Sequence, residues 1–370
     1  MQNVSVKRLL TLMLFVPFFM ACKKNSSTAP AGSPVRVYRG TQAPGDVWNW
    51  TLNDTAYTFT AVWDHGTTDP SDDITLGGTY TVLSTGYLKV VVTSSNPSDP
   101  QIPVDGSAFF YALEVPGVSL FLKPEGSILG DNIISSVYHG TVTSYAGTYN
   151  WVHAALPAAA DALTSGGYGT LTLTQATPGN LNVTGHTYSL DYLTTGVGTV
   201  NQDMTPSTAT VDASGSLVLS AGGVGQATAS GSLMIDYGSG NGGVFAAKQD
   251  NSLTLDVVSG STYNCFLFRS RGVSEDKGRI RFVGTDSAVY ESYDNVETGA
   301  LGTIVVPFKF TAIHNGAFTI QGYDAPGVPD NGPITGFAMQ YNGSKILAIM
   351  SISCDSDPTR CGYFILGASH

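Results

Sequence analysis

Three tryptophans, Trp48, Trp50 and Trp63, lie near the start of the sequence in segments that alternate apolar and polar residues. In Tyr57-Thr58-Phe59-Thr60-Ala61-Val62-Trp63 a period of two sets Tyr57, Phe59, Ala61 and Trp63 on one face. Aromatic rings on an exposed β-face stack against sugars, so Trp48, Trp50 and Trp63 are candidate ligand-binding residues. The same alternation also builds an ordinary core. Between Asp64 and Asp73 runs a polar stretch rich in aspartate. Calcium takes hard oxygen ligands from such loops, which makes Asp69, Asp72 and Asp73 a candidate calcium site. Their spacing does not follow an EF-hand loop, and Asp, Pro and Ser are also common turn formers. No other cofactor is indicated.

No set of catalytic residues emerges. There is no G-x-S-x-G elbow and no H-E-x-x-H. The six histidines are scattered. The glycines of Gly238-Ser239-Gly240-Asn241-Gly242-Gly243 lack the following lysine and helix of a phosphate loop and read as a hairpin turn. Glu114, in the apolar run Tyr111-Ala112-Leu113-Glu114-Val115, is expected to face solvent on an alternating strand. A hydrolase assembled from residues distant in sequence is the enzymatic alternative.

The elements that carry these residues are strands. Thr79–Leu83 and Tyr87–Thr93 flank Ser84-Thr85-Gly86, and Phe109–Val115 and Val118–Lys123 flank Pro116-Gly117. Ala209–Asp212 with Leu217–Ser220, and Leu233–Tyr237 with Gly243–Lys248, repeat the pattern. Further strands are expected at 279–283, 304–311, 317–321, 337–341 and 345–352. Only Ala154–Leu163 could be helical, and Pro157 interrupts it. Close, regular strands with at most one short helix argue for an all-β protein of tandem antiparallel modules, up-and-down barrels or sandwiches. Val37-Tyr38-Arg39-Gly40-Thr41 before Asn49-Trp50 is echoed by Val137-Tyr138-His139-Gly140-Thr141 before Asn150-Trp151. That echo suggests two related modules, 35–135 and 136–370, the second with an expected division near 270.

Ahead of the first module, Lys7-Arg8 precede an apolar run from Leu9 to Phe19, followed by Phe19-Met20-Ala21-Cys22. The run is too short to span a bilayer. The segment resembles a bacterial lipoprotein signal, although Phe19 and Met20 depart from the usual residues. The resemblance implies export, cleavage after residue 21, and lipid, palmitate included, on Cys22. Residues 22–34, rich in Ser, Pro and Gly, would be a flexible tether. The body of the chain resembles exported all-β lipoproteins of unknown role. The implied location is the cell envelope, anchored in the outer membrane by Cys22.

Outside the cytoplasm thiols oxidise, and Cys354 and Cys361 flank a polar turn, so a disulfide between them is expected. Pairing of either with Cys265 is the alternative. The chain holds 17 Lys and Arg against 28 Asp and Glu. Loss of Lys7 and Arg8 with the signal leaves 15 against 28, a net charge of −13. Such an acidic chain offers no footprint for nucleic acid. Taken together, the residues point to a non-catalytic envelope module for a glycan or an envelope protein. The second reading is a carrier that holds a hydrophobic ligand in a β-barrel.

Overall fold

The computed structural model describes residues 34–369, apart from 43–45, 65–68, 101, 126–133, 143, 156–164, 192–199, 239–240, 270–275, 326–327, 330–333 and 352–362. Almost every described element is a strand, and the strands wind into three consecutive barrels. In the first, eight strands from Val35–Gln42 to Ile134–Tyr138 each pair with the next, and the last pairs back onto the first. In the second, Gly147–Ala155 opens the meander and Gly243–Lys248 closes against it. In the third, Thr262–Arg269 and Tyr363–Ser369 make the closing pair. All three are antiparallel up-and-down barrels, the closed solution that leaves no sheet edge.

The two copies of the apparent repeat are therefore not equivalent. Val137-Tyr138 belongs to the closing strand of the first barrel, where Tyr38 sits opposite Tyr138. Asn49-Trp50 lies on the second strand of its barrel and Asn150-Trp151 on the first strand of the next. The expected second module, 136–370, is two barrels, and they divide between Lys248 and Thr262 rather than near 270. The described helix is also elsewhere than expected. It is Leu255–Ser259, capped by the Thr254 hydroxyl and set against the third barrel's core, while Ala154 and Ala155 end a strand. Residues 156–163 lie outside the described set.

Turn chemistry explains the hairpins. Gly86 and Gly117 take φ of +90° and +75°, where a side chain would strain the backbone. The fourth strand of the second barrel is broken at Thr205-Pro206. Val200–Asp203 and Ser207–Val211 both run along Asn180–Asp191, with registers one residue apart. Proline cannot donate to a ladder, so the break falls there.

Inward positions of the first barrel carry Trp48, Trp50, Phe59 and Phe110, with the two indoles stacked 5.3 Å apart. The third is filled by Tyr263, Tyr290, Phe308, Phe310 and Phe318. A fourth apolar cluster lies between the barrels, built from outward-facing residues of all three. Phe121 of the first barrel meets Phe245 of the second edge-on at 5.2 Å, and Phe245 stacks on Phe337 of the third at 5.8 Å. The hairpin tip of the first barrel docks onto the third. The Thr85 hydroxyl donates to Val296 O at 3.0 Å, and Asn264 Nδ2 donates to Thr85 O at 2.5 Å. The fully buried Tyr87 hydroxyl donates toward the carbonyls of Cys265 (2.7 Å) and Gly278 (2.9 Å), and accepts from Cys265 N at 3.1 Å.

Candidate functional site

The inward residues of the second barrel differ between its two ends. At one end they are Tyr149, Leu173, Leu181, Leu217 and Leu233, all at most 2% exposed, and they close that end. Toward the other end the inward positions on Ser165–Thr177 are Ser165, Gly167 and Gly169. On Asn180–Asp191 they are Gly185, Thr187 and Ser189. These side chains are too small to meet across a barrel of eight strands, whose interior is just wide enough for larger ones to fill. The result is a cavity of about 590 Å³, within the size range of sites for drug-sized ligands. Ala221, Gly222 and Asn241 are exposed and form part of its rim.

Trp151 and Tyr237 supply aromatic wall, and Leu171, Met204, Ile235 and Val244 supply aliphatic wall. Met204 enters at the broken strand, its backbone N–H bonded to Gly185 O at 2.9 Å. Trp151 lies over the two glycines of the neighbouring strand. A Cβ on Gly169 would fall 3.0 Å from its ring, and one on Gly167 3.4 Å away. The indole N–H of Trp151 is buried and has no acceptor among the described residues. His153 pairs its Nε2 with Asn241 O at 2.8 Å and meets Tyr237 edge-on at 6.3 Å. Burial pushes the His153 imidazole below its ordinary pKa and raises the Tyr237 phenol, so both are uncharged at neutral pH. Among the described residues, no Asp, Glu, Lys or Arg lines the cavity.

A second, smaller hollow of about 230 Å³ separates the second barrel from the third, between Tyr168, Thr170 and His186 on one side and Ala317, Thr335 and Phe337 on the other. At the junction of the first and second barrels Asp236 is 2% exposed and accepts from Gly238 N at 2.6 Å. Burial raises its pKa to about 7, and the neighbouring carboxylates Asp64 and Asp46 add to the rise.

The candidates read from the sequence fall elsewhere. Trp48 and Trp50 are fully buried inside the first barrel, and Trp63 stacks on Trp48 at 5.3 Å, so they form a core stack and not an exposed platform. Trp63 also donates to Asp46 Oδ2 at 2.8 Å. Asp69, Asp72 and Asp73 do not converge. Among the described residues there is no group of three or more His, Cys, Asp or Glu placed to hold a metal ion. Asp69 instead caps a turn by accepting from Ser71 N at 2.9 Å, a common use of aspartate in loops.

Glu114 is 9% exposed and points into a polar cluster rather than to solvent. It accepts from Arg36 Nε at 2.6 Å and from Tyr38 Oη at 2.5 Å, while Arg36 also pairs with Asp54. Glu291 accepts from both Arg279 Nε and Arg281 Nη2 at 2.8 Å. Cys265 is a buried thiol in the third barrel. Cys22, Cys354 and Cys361 lie outside the described residues.

No protein-family model matches the chain, and no curated protein matches it. Several solved structures are similar to it. One is a candidate outer membrane protein from Bacteroides fragilis NCTC 9343, 16% identical, covering 60% of this chain and 96% of that one with a TM-score of 0.17. Another is a protein of unknown function from the DUF3598 family of Nostoc punctiforme PCC 73102, 8% identical, covering 92% of this chain and 96% of that one, also with a TM-score of 0.17. Superpositions that poor carry no argument about function.

Proposed function

We propose that this chain is a lipid-anchored envelope protein that binds, without chemical conversion, a small largely apolar ligand inside its second barrel. The observation that carries the reading is the cavity of about 590 Å³, filled at one end and rimmed by exposed residues at the other. The anchoring half rests on the signal-like residues 1–22 and on Cys22. Binding without catalysis is favoured by the wall itself, whose described residues offer no carboxylate, lysine or cysteine. His153 Nε2 is engaged by a carbonyl and not by a hydroxyl nucleophile. A surface glycan-binding role through Trp48, Trp50 and Trp63 loses its support, because Trp48 and Trp50 are core and the half-buried Trp63 packs against them.

Two measurements test the two halves. The uncharged dye N-phenyl-1-naphthylamine should bind the purified protein saturably, one dye per chain, with a rise in emission. Thr187→Phe, which fills the cavity, should weaken that binding by about tenfold or more, as expected when a ligand loses its pocket. Saturable binding that Thr187→Phe leaves unchanged would place the dye outside the second barrel. Separately, fractionation of expressing cells should find the protein with membranes and Cys22→Ala in the soluble fraction, since the acyl chains provide the anchor. A membrane-bound Cys22→Ala protein would sink the anchoring half and leave the cavity untouched.

A further inference from the structure

We infer that the ligand of the second barrel is an uncharged, ring-bearing molecule that carries a hydroxyl or N–H donor, and that His153 Nδ1 accepts that donor's hydrogen. This rests on the carrier reading and narrows it to a chemical class.

Exclusion of charge follows from the wall. A charged group taken out of water must find a partner of opposite sign or lose several kcal/mol. Among the described residues, no ionised side chain lines the cavity to supply one. Preference for a ring follows from Trp151 and Tyr237, both in the wall, since aromatic faces and edges favour other rings.

The donor requirement follows from His153. A backbone carbonyl can only accept, so the 2.8 Å contact with Asn241 O places the hydrogen of this neutral imidazole on Nε2. Nδ1 is then an acceptor and nothing else. It has no partner among the described residues, and the side chain belongs to the cavity wall. A ligand without a donor would bury that lone pair unpaired, which is the costly half of hydrogen-bond energetics.

Three naphthalene probes of similar size separate these terms at neutral pH: 2-naphthol, 2-methoxynaphthalene and 2-naphthoate. Displacement of N-phenyl-1-naphthylamine from the full-length protein reads each affinity. We expect 2-naphthol to bind about tenfold more tightly than 2-methoxynaphthalene, the worth of one buried hydrogen bond, and 2-naphthoate to bind more weakly than either. In His153→Leu the advantage of 2-naphthol over 2-methoxynaphthalene should vanish.

Equal affinities in the wild type, an advantage that survives in His153→Leu, or a preference for 2-naphthoate would each overturn the inference while the carrier reading stands on dye binding. Absence of dye binding altogether would overturn both. If His153→Leu does not fold, the ¹⁵N resonance of His153 Nδ1 in the wild type gives the same decision. It should move upfield with 2-naphthol and not with 2-methoxynaphthalene, and a resonance that ignores 2-naphthol rejects the assignment.

Discussion

Tyr87→Phe should destabilise the whole molecule by about 2–4 kcal/mol, although it removes a single oxygen. The Tyr87 ring belongs to the first barrel, but its hydroxyl is spent on the third, where Cys265 and Gly278 face each other across two strands. That hydroxyl accepts from Cys265 N and donates toward two carbonyls. Phenylalanine keeps the ring contacts with Phe266 and Tyr293 at 5.5 and 6.1 Å but removes the hydroxyl's hydrogen bonds to the buried Cys265 N–H and to the two carbonyls. A buried group that loses its hydrogen-bond partner costs about 1–3 kcal/mol. Chemical denaturation followed by tryptophan fluorescence is the check, and it is informative about coupling as well. Trp48, Trp50 and Trp63 report the first barrel and Trp151 the second, so a loss of stability originating at the third barrel should appear in both. A change below about 0.5 kcal/mol would mean that water replaces the hydroxyl and that the docking of the hairpin tip is unimportant.

The second large effect concerns acidity. Asp236→Asn is expected to raise stability by about 4 kcal/mol at mildly alkaline pH and to have little effect near pH 4. In the unfolded chain an aspartate loses its proton near pH 4, whereas folded Asp236, desolvated and facing Asp64 and Asp46, keeps its proton up to about 7. Between those two values the folded protein binds more protons than the unfolded one, so stability falls as the pH rises through that window and levels off above it. A gap of about three pH units at 1.36 kcal/mol per unit sets the size. Asparagine retains an oxygen to accept from Gly238 N and carries no charge to desolvate. Denaturation curves across the window should therefore lose their slope in the variant. Parallel slopes in wild type and variant would show that another group sets the pH dependence.

Much of the strand pattern was legible because it depends on neighbours in sequence. The Phe109–Val115 strand and the Gly86 and Gly117 turns follow from alternation and from residues that permit positive φ. Closure was not legible, because it depends on pairs such as Tyr38 with Tyr138, separated by most of a barrel's length of chain. The start of the third barrel was placed too late for a related reason. Where the barrels pack together, outward residues are as apolar as inward ones, as in Phe364-Ile365-Leu366, so alternation fades. The aromatic clusters drew attention to the first barrel, where large side chains pack into a core. The cavity is written instead in what is missing, at alternate positions 165, 167 and 169 and again at 185, 187 and 189. Small residues at inward parity on two paired strands are a readable signal once the strands are known to close a barrel.

The leucines that plug one end of the second barrel make its interior a cul-de-sac rather than a corridor. Whatever enters must leave by the way it came, and a newcomer cannot push a resident out from behind. For the proposed carrier, exchange would therefore proceed by departure first and arrival second, so the time a molecule stays inside would set the pace of turnover however crowded the surroundings become.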